Sequence, residues 1–285
     1  MPNRIALITD STCDIPEEWK KQYDITVIPL TIVWGEEQYL DGVDLSAEEF
    51  YARLGNDKNH PTTSQPSPKL FLDAYCEAAE KGYEEVMVIV ISSAMSGTIE
   101  SARRAAEESP IPVHIVDSKN NSMGLGWQVV AAARAQETGG GVEAMLQAAE
   151  QVRQNVAYYI SLNTMEYLDR GGRIGDAVKF LSSVLKIKPL IYVNRETGTV
   201  GASIPARHRR GAIEGLYRQF FKNINTEMPL HITVLHNAAL EEAQALAERV
   251  KQEYNPKELF ISIVSPVLGV HTGPRAIALC GYNEV

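Results

Sequence analysis

EVMVIVISSAMSGTIESA, residues 85–102, decides the fold class. Val86 to Ile91 are aliphatic without interruption. Such a run suits a strand covered on both faces, because a half-exposed strand would alternate with polar residues. Ser92 to Thr98 are small and mostly polar, and Ser96-Gly97-Thr98 opens a helical pattern through Ile99, Ala102 and Ala106. Strand, glycine-containing turn and helix form the repeating unit of a parallel α/β sheet. The turn also aims free backbone N–H groups at an anion lying beyond the strand end. The segment is neither GxSxG nor GxxxxGK[ST], so neither a hydrolase elbow nor a nucleotide P-loop is present.

The same grammar extends on both sides. Ile5 to Thr9, Ile25 to Val33 (one or two strands) and Val113 to Val116 are further apolar runs. Asp14-Ile15-Pro16-Glu17 and Ser46-Ala47-Glu48-Glu49 have capping-box spacing, and Ser67-Pro68 is an N-cap followed by proline at the first helical position. Residues 122–137 and 141–155 read as helices broken at Gly139-Gly140-Gly141. Beyond them the pattern changes. Tyr158 to Leu162, Leu190 to Asn194, Gly198 to Ala202, Ile232 to His236 and Leu259 to Val264 read as strands. Helical stretches near 208–222 and 239–252 separate some of them, and Arg195 to Gly198 reads as a hairpin turn. The expectation is a two-domain α/β protein. Residues 1–155 carry a mostly parallel sheet flanked by helices, and residues 156–285 a mixed sheet with helices. A cleft between such domains is a usual place for a ligand.

The 285 residues are 45% hydrophobic and 22% charged, enough for a substantial core. A net charge of -9 argues against non-specific nucleic-acid binding. Cys13, Cys76 and Cys280 form no CxxC pair, and no run of about 18 apolar residues offers a membrane span. The N-terminus lacks the apolar stretch of a signal peptide, so a cytoplasmic location is expected. Charge is uneven, however. From Asp169 to Arg210, nine Lys or Arg face three Asp or Glu, leaving +6 there and -15 elsewhere. Such a stretch suits an anionic ligand group or an acidic partner surface, or simply a solvated face.

Five further segments concentrate polarity. Thr62 to Pro68 leads into a helix, where its hydroxyls could hold an oxyanion or Ser67 could merely cap. Asp117 to Ser122, with Gly124 and Gly126, reads as a turn. Tyr167-Leu168-Asp169-Arg170-Gly171-Gly172-Arg173-Ile174 puts two guanidinium groups around a glycine pair, an arrangement suited to phosphate or carboxylate, with Arg207 near enough in sequence to add to it. Gly269-Val270-His271-Thr272-Gly273-Pro274 follows the last strongly apolar run, and its glycines read as bare backbone at a pocket mouth. In Asp10 to Asp14 a metal reading is weak, since no further ligand lies at metal spacing and Asp14 serves as a cap. His60, His114, His208, His231 and His236 have no metal-site context.

Taken together these segments resemble the DegV family of bacterial fatty-acid-binding proteins. The matching stretches are ITDSTCDIP at 8–16, TSQPSP at 63–68, SSAMSGT at 92–98, YLDRGGRI at 167–174, KIKPLI at 186–191 and GVHTGP at 269–274. They occur in family order over nearly the whole chain; the family often continues the last as Gly-Pro-Gly, where this chain has Arg275. The resemblance implies one long-chain fatty acid buried between two domains and no other cofactor. It implies a carboxylate held by Thr63, Ser96 and His271, with Ser64, Gly97 and Thr272 nearby. It further implies a non-enzymatic carrier: a separate fatty-acid kinase phosphorylates the bound carboxylate, and an acyltransferase can then use the acyl phosphate for phospholipid synthesis. Arg170, Arg173 and Arg207 are the candidates for kinase docking or phosphate stabilisation. The competing reading is a small-molecule phosphotransferase or hydrolase using His271 and Ser96.

Overall fold

Ile5–Asp10 (β1) and Glu85–Val90 (β6), the two most continuously aliphatic runs of the first half, lie side by side as the centre of a parallel sheet. Ile25–Ile28 (β2) and Val113–Asp117 (β7) flank them, giving the order β2-β1-β6-β7, all parallel. The coordinates are a computed structural model that describes residues 4–173, 175 and 187–284. Met1 to Asn3 and, within the basic stretch, Ile174, Asp176, Lys179 and Lys186 lie outside the described residues. Continuous apolarity is explained by cover on both faces. On one face Ile8, Val86 and Val88 pack with Phe71 and Tyr75 of Pro68–Glu80 (α3) and Ile99 and Ala102 of Thr98–Ala106 (α4). On the other, Leu7, Met87 and Ile89 join a core with Met123, Leu125 and Trp127 of Ser122–Glu137 (α5).

The Ile25–Val33 run divides. Its second part, Thr31–Trp34 (β3), leaves the parallel sheet and pairs antiparallel with Glu37–Leu40 (β4) and Thr62–Ser64 (β5). Glu17–Gln22 (α1) and Ala47–Leu54 (α2) complete this region. Ser46 and Glu49 form the expected capping box. Asp14 does not: α1 is preceded by Pro16, and the Asp14 carboxylate instead accepts from Ser122 Oγ and the Ser265 N–H. Ser67 precedes α3 with Pro68 at its start, but its side chain makes no capping bond.

The second sheet is six-stranded and mixed. Its strands are Ala157–Ser161 (β8), Leu190–Val193 (β9), Val200–Ala202 (β10), Leu230–His236 (β11), Glu258–Ile263 (β12) and Ile277–Asn283 (β13), in the order β10-β9-β8-β13-β11-β12. Only β11 and β12 pair in parallel. The expected hairpin joins β9 to β10 through Asn194 and Gly198. Arg209–Lys222 (α8) and Leu240–Tyr254 (α9) cover the outer face. The inner face, including Tyr158, Ile160, Ile191 and Val193, shares one core with the parallel sheet and α5. Val142–Asn155 (α6) follows α5 after the glycine break. α5 is buried almost all round, and Gly126 lets it close on the turn Ser11–Cys13 that follows β1, since a Cβ there would stand 2.5 Å from the Cys13 carbonyl oxygen.

Two expectations are corrected. The last apolar strand is β13, not the run ending at Val264, and it lies near the centre of the sheet between β8 and β11. Cys280-Gly281 interrupts its pattern, yet Gly281 is needed: a Cβ there would meet the His231 carbonyl oxygen at 2.3 Å. The GVHTGP segment is likewise no open loop. Its first residues belong to a helix, Pro266–Thr272 (α10), which follows Ser265 and has proline at its start, although the Ser265 side chain makes no capping bond.

Candidate functional site

α10 carries His271 in its last turn, and the strand β5 carries Thr63. Thr63 Oγ1 and His271 Nε2 share a 2.9 Å hydrogen bond across 208 residues of sequence. Thr63 thus acts from a strand edge; α3 begins only at Pro68, so the TSQPSP segment offers no helix N-terminus at the hydroxyl. The glycines flanking His271 admit protein rather than ligand. A Cβ on Gly269 would stand 2.6 Å from the Phe50 ring and from the Tyr51 hydroxyl, and one on Gly273, whose φ is +70°, 2.2 Å from the Tyr167 ring. Tyr167 belongs to Glu166–Gly171 (α7), which packs along α10.

Ser96 precedes Gly97, the N-cap of α4. Ser96 Oγ lies 2.8 Å from Thr98 Oγ1 and accepts from the Thr98 N–H at 3.3 Å. The helix start and these hydroxyls together present hydrogen-bond donors to a negative group. Ser96 and His271 therefore each have a different partner, and the nucleophile–base pair required by the phosphotransferase or hydrolase reading is not formed.

These residues surround the mouth of a cavity between the two sheets. Thr63, Ser64, Ser96, Gly97, His271 and Thr272 all line it, as does Arg173. Its remaining wall is chiefly aliphatic, with Ile91, Ile160, Ile191, Val193, Val200 and Leu268 among its residues. Ser64 Oγ donates weakly to the Gln65 carbonyl at 3.4 Å. Thr272 Oγ1 is spent within the fold, donating to the Leu268 carbonyl and accepting from Asn237 Nδ2.

Electrostatics favour a neutral imidazole. Burial, helped by the nearby Arg173 guanidinium, lowers the His271 pKa to about 4. Its Nδ1 is buried without a hydrogen-bond partner. A neutral imidazole beside the Thr63 hydroxyl can donate to an anion without itself carrying charge.

The three candidate arginines behave differently. Arg173 lines the cavity and donates from Nη1 to the Gly171 carbonyl at 2.7 Å. Arg170 is engaged by Glu166 at 2.7 Å and by His60. Arg207 is exposed just before α8 and is not part of the cavity wall. Sequence reading missed Asn237, whose amide also donates to the Gly273 carbonyl at 2.7 Å and holds the end of α10. An Asn after a strand carries the signal of a turn and nothing more. Gln65 was also missed; it lies over Gly97, where a Cβ would meet its Oε1 at 2.0 Å. The helix α10 itself was detectable, because Ser265-Pro266 repeats the start signal of Ser67-Pro68 and Gly273-Pro274 is a stop.

Comparison with known proteins follows the same lines. The family model for DegV, which describes its members as uncharacterised proteins, matches residues 4–284. The DegV domain-containing protein SCO2569 of Streptomyces coelicolor is 36% identical over 281 residues, covering 98% of each chain. A DegV family protein from Thermus thermophilus, solved for its fatty acid binding, superposes with a TM-score of 0.91 at 32% identity, over 99% of this chain and 100% of the other. DegV from Bacillus subtilis, described as a fatty acid binding protein, gives 0.90 at 30% identity over 99% and 100%. The chain belongs to the DegV family.

Proposed function

We propose that this protein binds one long-chain fatty acid, with the carboxylate at Thr63, Ser96 and His271 and the tail in the aliphatic cavity between residues 1–155 and 156–285. The observation that carries the reading is the Thr63–His271 hydrogen bond at the mouth of that cavity. Polar groups beside an apolar chamber are what an amphiphile requires, and this supports the reading. The fatty-acid binding of the Thermus thermophilus and Bacillus subtilis relatives supports the ligand class. Ser64 and Gly97 border the headgroup, and Thr272 braces the helix that carries His271.

Energetically the tail dominates. At ~0.8 kcal/mol per buried CH₂, about 15 methylenes give a gross driving force of ~12 kcal/mol, and association costs remove a good part of it. The headgroup's hydrogen bonds add to this affinity and set orientation, with the carboxylate at the mouth.

In the fuller reading the protein is a cytoplasmic carrier rather than a catalyst. A partner kinase phosphorylates the presented carboxylate, the acyl phosphate stays in the cavity, and an acyltransferase consumes it. Arg173 at the cavity rim supports this assignment, because a guanidinium there suits a phosphate or the acidic surface of a partner. Among the described residues no helix is long and apolar enough to cross a membrane.

The test is a comparison of ligands. Delipidated protein should bind a long-chain fatty acid much more tightly than its methyl ester, which keeps the tail and loses the charge. Equal affinities would refute the headgroup assignment. Turnover of an acyl ester or phosphate by the protein alone, without retained lipid, would overturn the carrier reading.

A further inference from the structure

We infer that Tyr158 is the floor of the cavity and sets the longest acyl chain the protein accepts, a role that holds only if the ligand is the fatty acid proposed above. The register of the mixed sheet shows where the cavity ends. Ala278 pairs with Ile160, Ile160 with Ile191, and Ile191 with Ala202. Two residues further along the strands, Cys280 pairs with Tyr158 and Val193 with Val200. Residues two apart on a strand share a face, so these are successive rows on the inner face. The cavity is lined by Ala278, Ile160 and Ile191 from the first row, and by Tyr158, Val193 and Val200 from the second. Among the described residues no third row lines it.

The opposite end is fixed by the headgroup. Asn237 holds Thr272 through its amide, and its own N–H donates to the Ala276 carbonyl. Ala276 directly precedes β13, and Cys280 lies four residues on, which at ~3.4 Å each separates the Tyr158 row from the Ala276 level by roughly 14 Å.

Beyond that row the core is closed. Tyr158 is 4% exposed, and Cys280 and Met123 are fully buried. The Tyr158 hydroxyl lies beside Ser122, whose Oγ donates to Asp14 Oδ2 at 2.5 Å. The ring is therefore enclosed at its far end by buried side chains. Val193 and Val200, the other lining residues of this row, are short and branched. Among the described lining residues of this row Tyr158 contributes the one large side chain, and a stiff aromatic ring packed into a closed core cannot fold aside as a methionine would.

The experiment loads delipidated protein with an equimolar mixture of saturated fatty acids of graded length and measures the retained chains by mass spectrometry. Tyr158→Val is expected to shift the distribution to chains longer by about two carbons or more, through the space the ring vacates. Tyr158→Phe should leave the length distribution unchanged. Val193→Phe, which adds volume to the same row, should shift it to shorter chains, and it decides the matter if Tyr158→Val does not fold. A folded Tyr158→Val with the wild-type distribution, or Val193→Phe with no shortening, overturns the assignment. Failure of the wild-type protein to retain any fatty acid would instead remove the ligand reading, a result separable from a misplaced floor.

Discussion

Gly171 and His271 are in direct contact. A Cβ added at Gly171 would stand 2.1 Å from His271 Nδ1 and 3.0 Å from Cε1. Gly171 ends α7 and His271 lies in the last turn of α10, so the absence of one side chain fixes the other where Thr63 can reach it. Gly171→Ala is therefore expected to push the imidazole off Thr63 and weaken fatty-acid binding by about 1 kcal/mol, the net worth of one hydrogen bond. Titration with a fluorescent fatty acid would measure it. Wild-type affinity in the folded variant would show that the ring position does not govern the headgroup.

Asn237 braces the same helix from the other side. Its amide donates to Thr272 Oγ1 and the Gly273 carbonyl from a fully enclosed position. Asn237→Ala should lower unfolding stability by about 1–3 kcal/mol, since buried acceptors lose their donor. Urea denaturation reads this directly, and a loss below a few tenths would contradict the bracing role.

The legibility of this fold followed burial. Strands buried on both faces, such as β1 and β6, announced themselves through uninterrupted aliphatic residues, and the helices with Ser46 or Ser67-Pro68 at their starts through capping chemistry. β13 stayed hidden because Gly281 breaks its pattern for a reason visible only in three dimensions, the approach of the His231 carbonyl. In the site, His271, Thr63 and Ser96 were named from resemblance, and the cavity brings all three together. The hydrogen bond between Thr63 and His271, the packing purpose of Gly269 and Gly273, and the brace from Asn237 depend on contacts between distant segments, which no local pattern encodes.

pH dependence should separate two buried acids from the histidine. Asp41 and Asp14 accept the N–H groups of Val267 and Ser265 at the start of α10. Burial pushes their pKa values up to about 7 and about 6 respectively. The folded state therefore holds protons that the unfolded chain has released, and stability falls as pH rises from about 4 through 7. His271 has the opposite sign: lowered to about 4, it costs stability only as pH falls below its ordinary value near ~6.5. Between pH 6.5 and 8 the thermal midpoint should thus decline, and Asp41→Asn should flatten the decline. An unchanged slope in that variant would exclude Asp41 as the source.

If the proposed partner kinase acts on the bound carboxylate, Arg173→Ala is expected to leave lipid bound and slow that phosphorylation, because its guanidinium sits at the rim rather than in the tail chamber. His271→Ala should likewise reduce acyl-phosphate formation more than lipid retention. An unchanged kinase rate for Arg173→Ala would reject docking, and equal losses for His271→Ala would reject the headgroup role.

Native mass spectrometry of the purified, undelipidated protein tests the central claim most directly. The expected spectrum shows the chain carrying a single added mass that matches one long-chain fatty acid, and this adduct is depleted when Thr63→Val and His271→Ala are combined. A bare chain that also takes up no added fatty acid, or an adduct of a different chemical class, would contradict it.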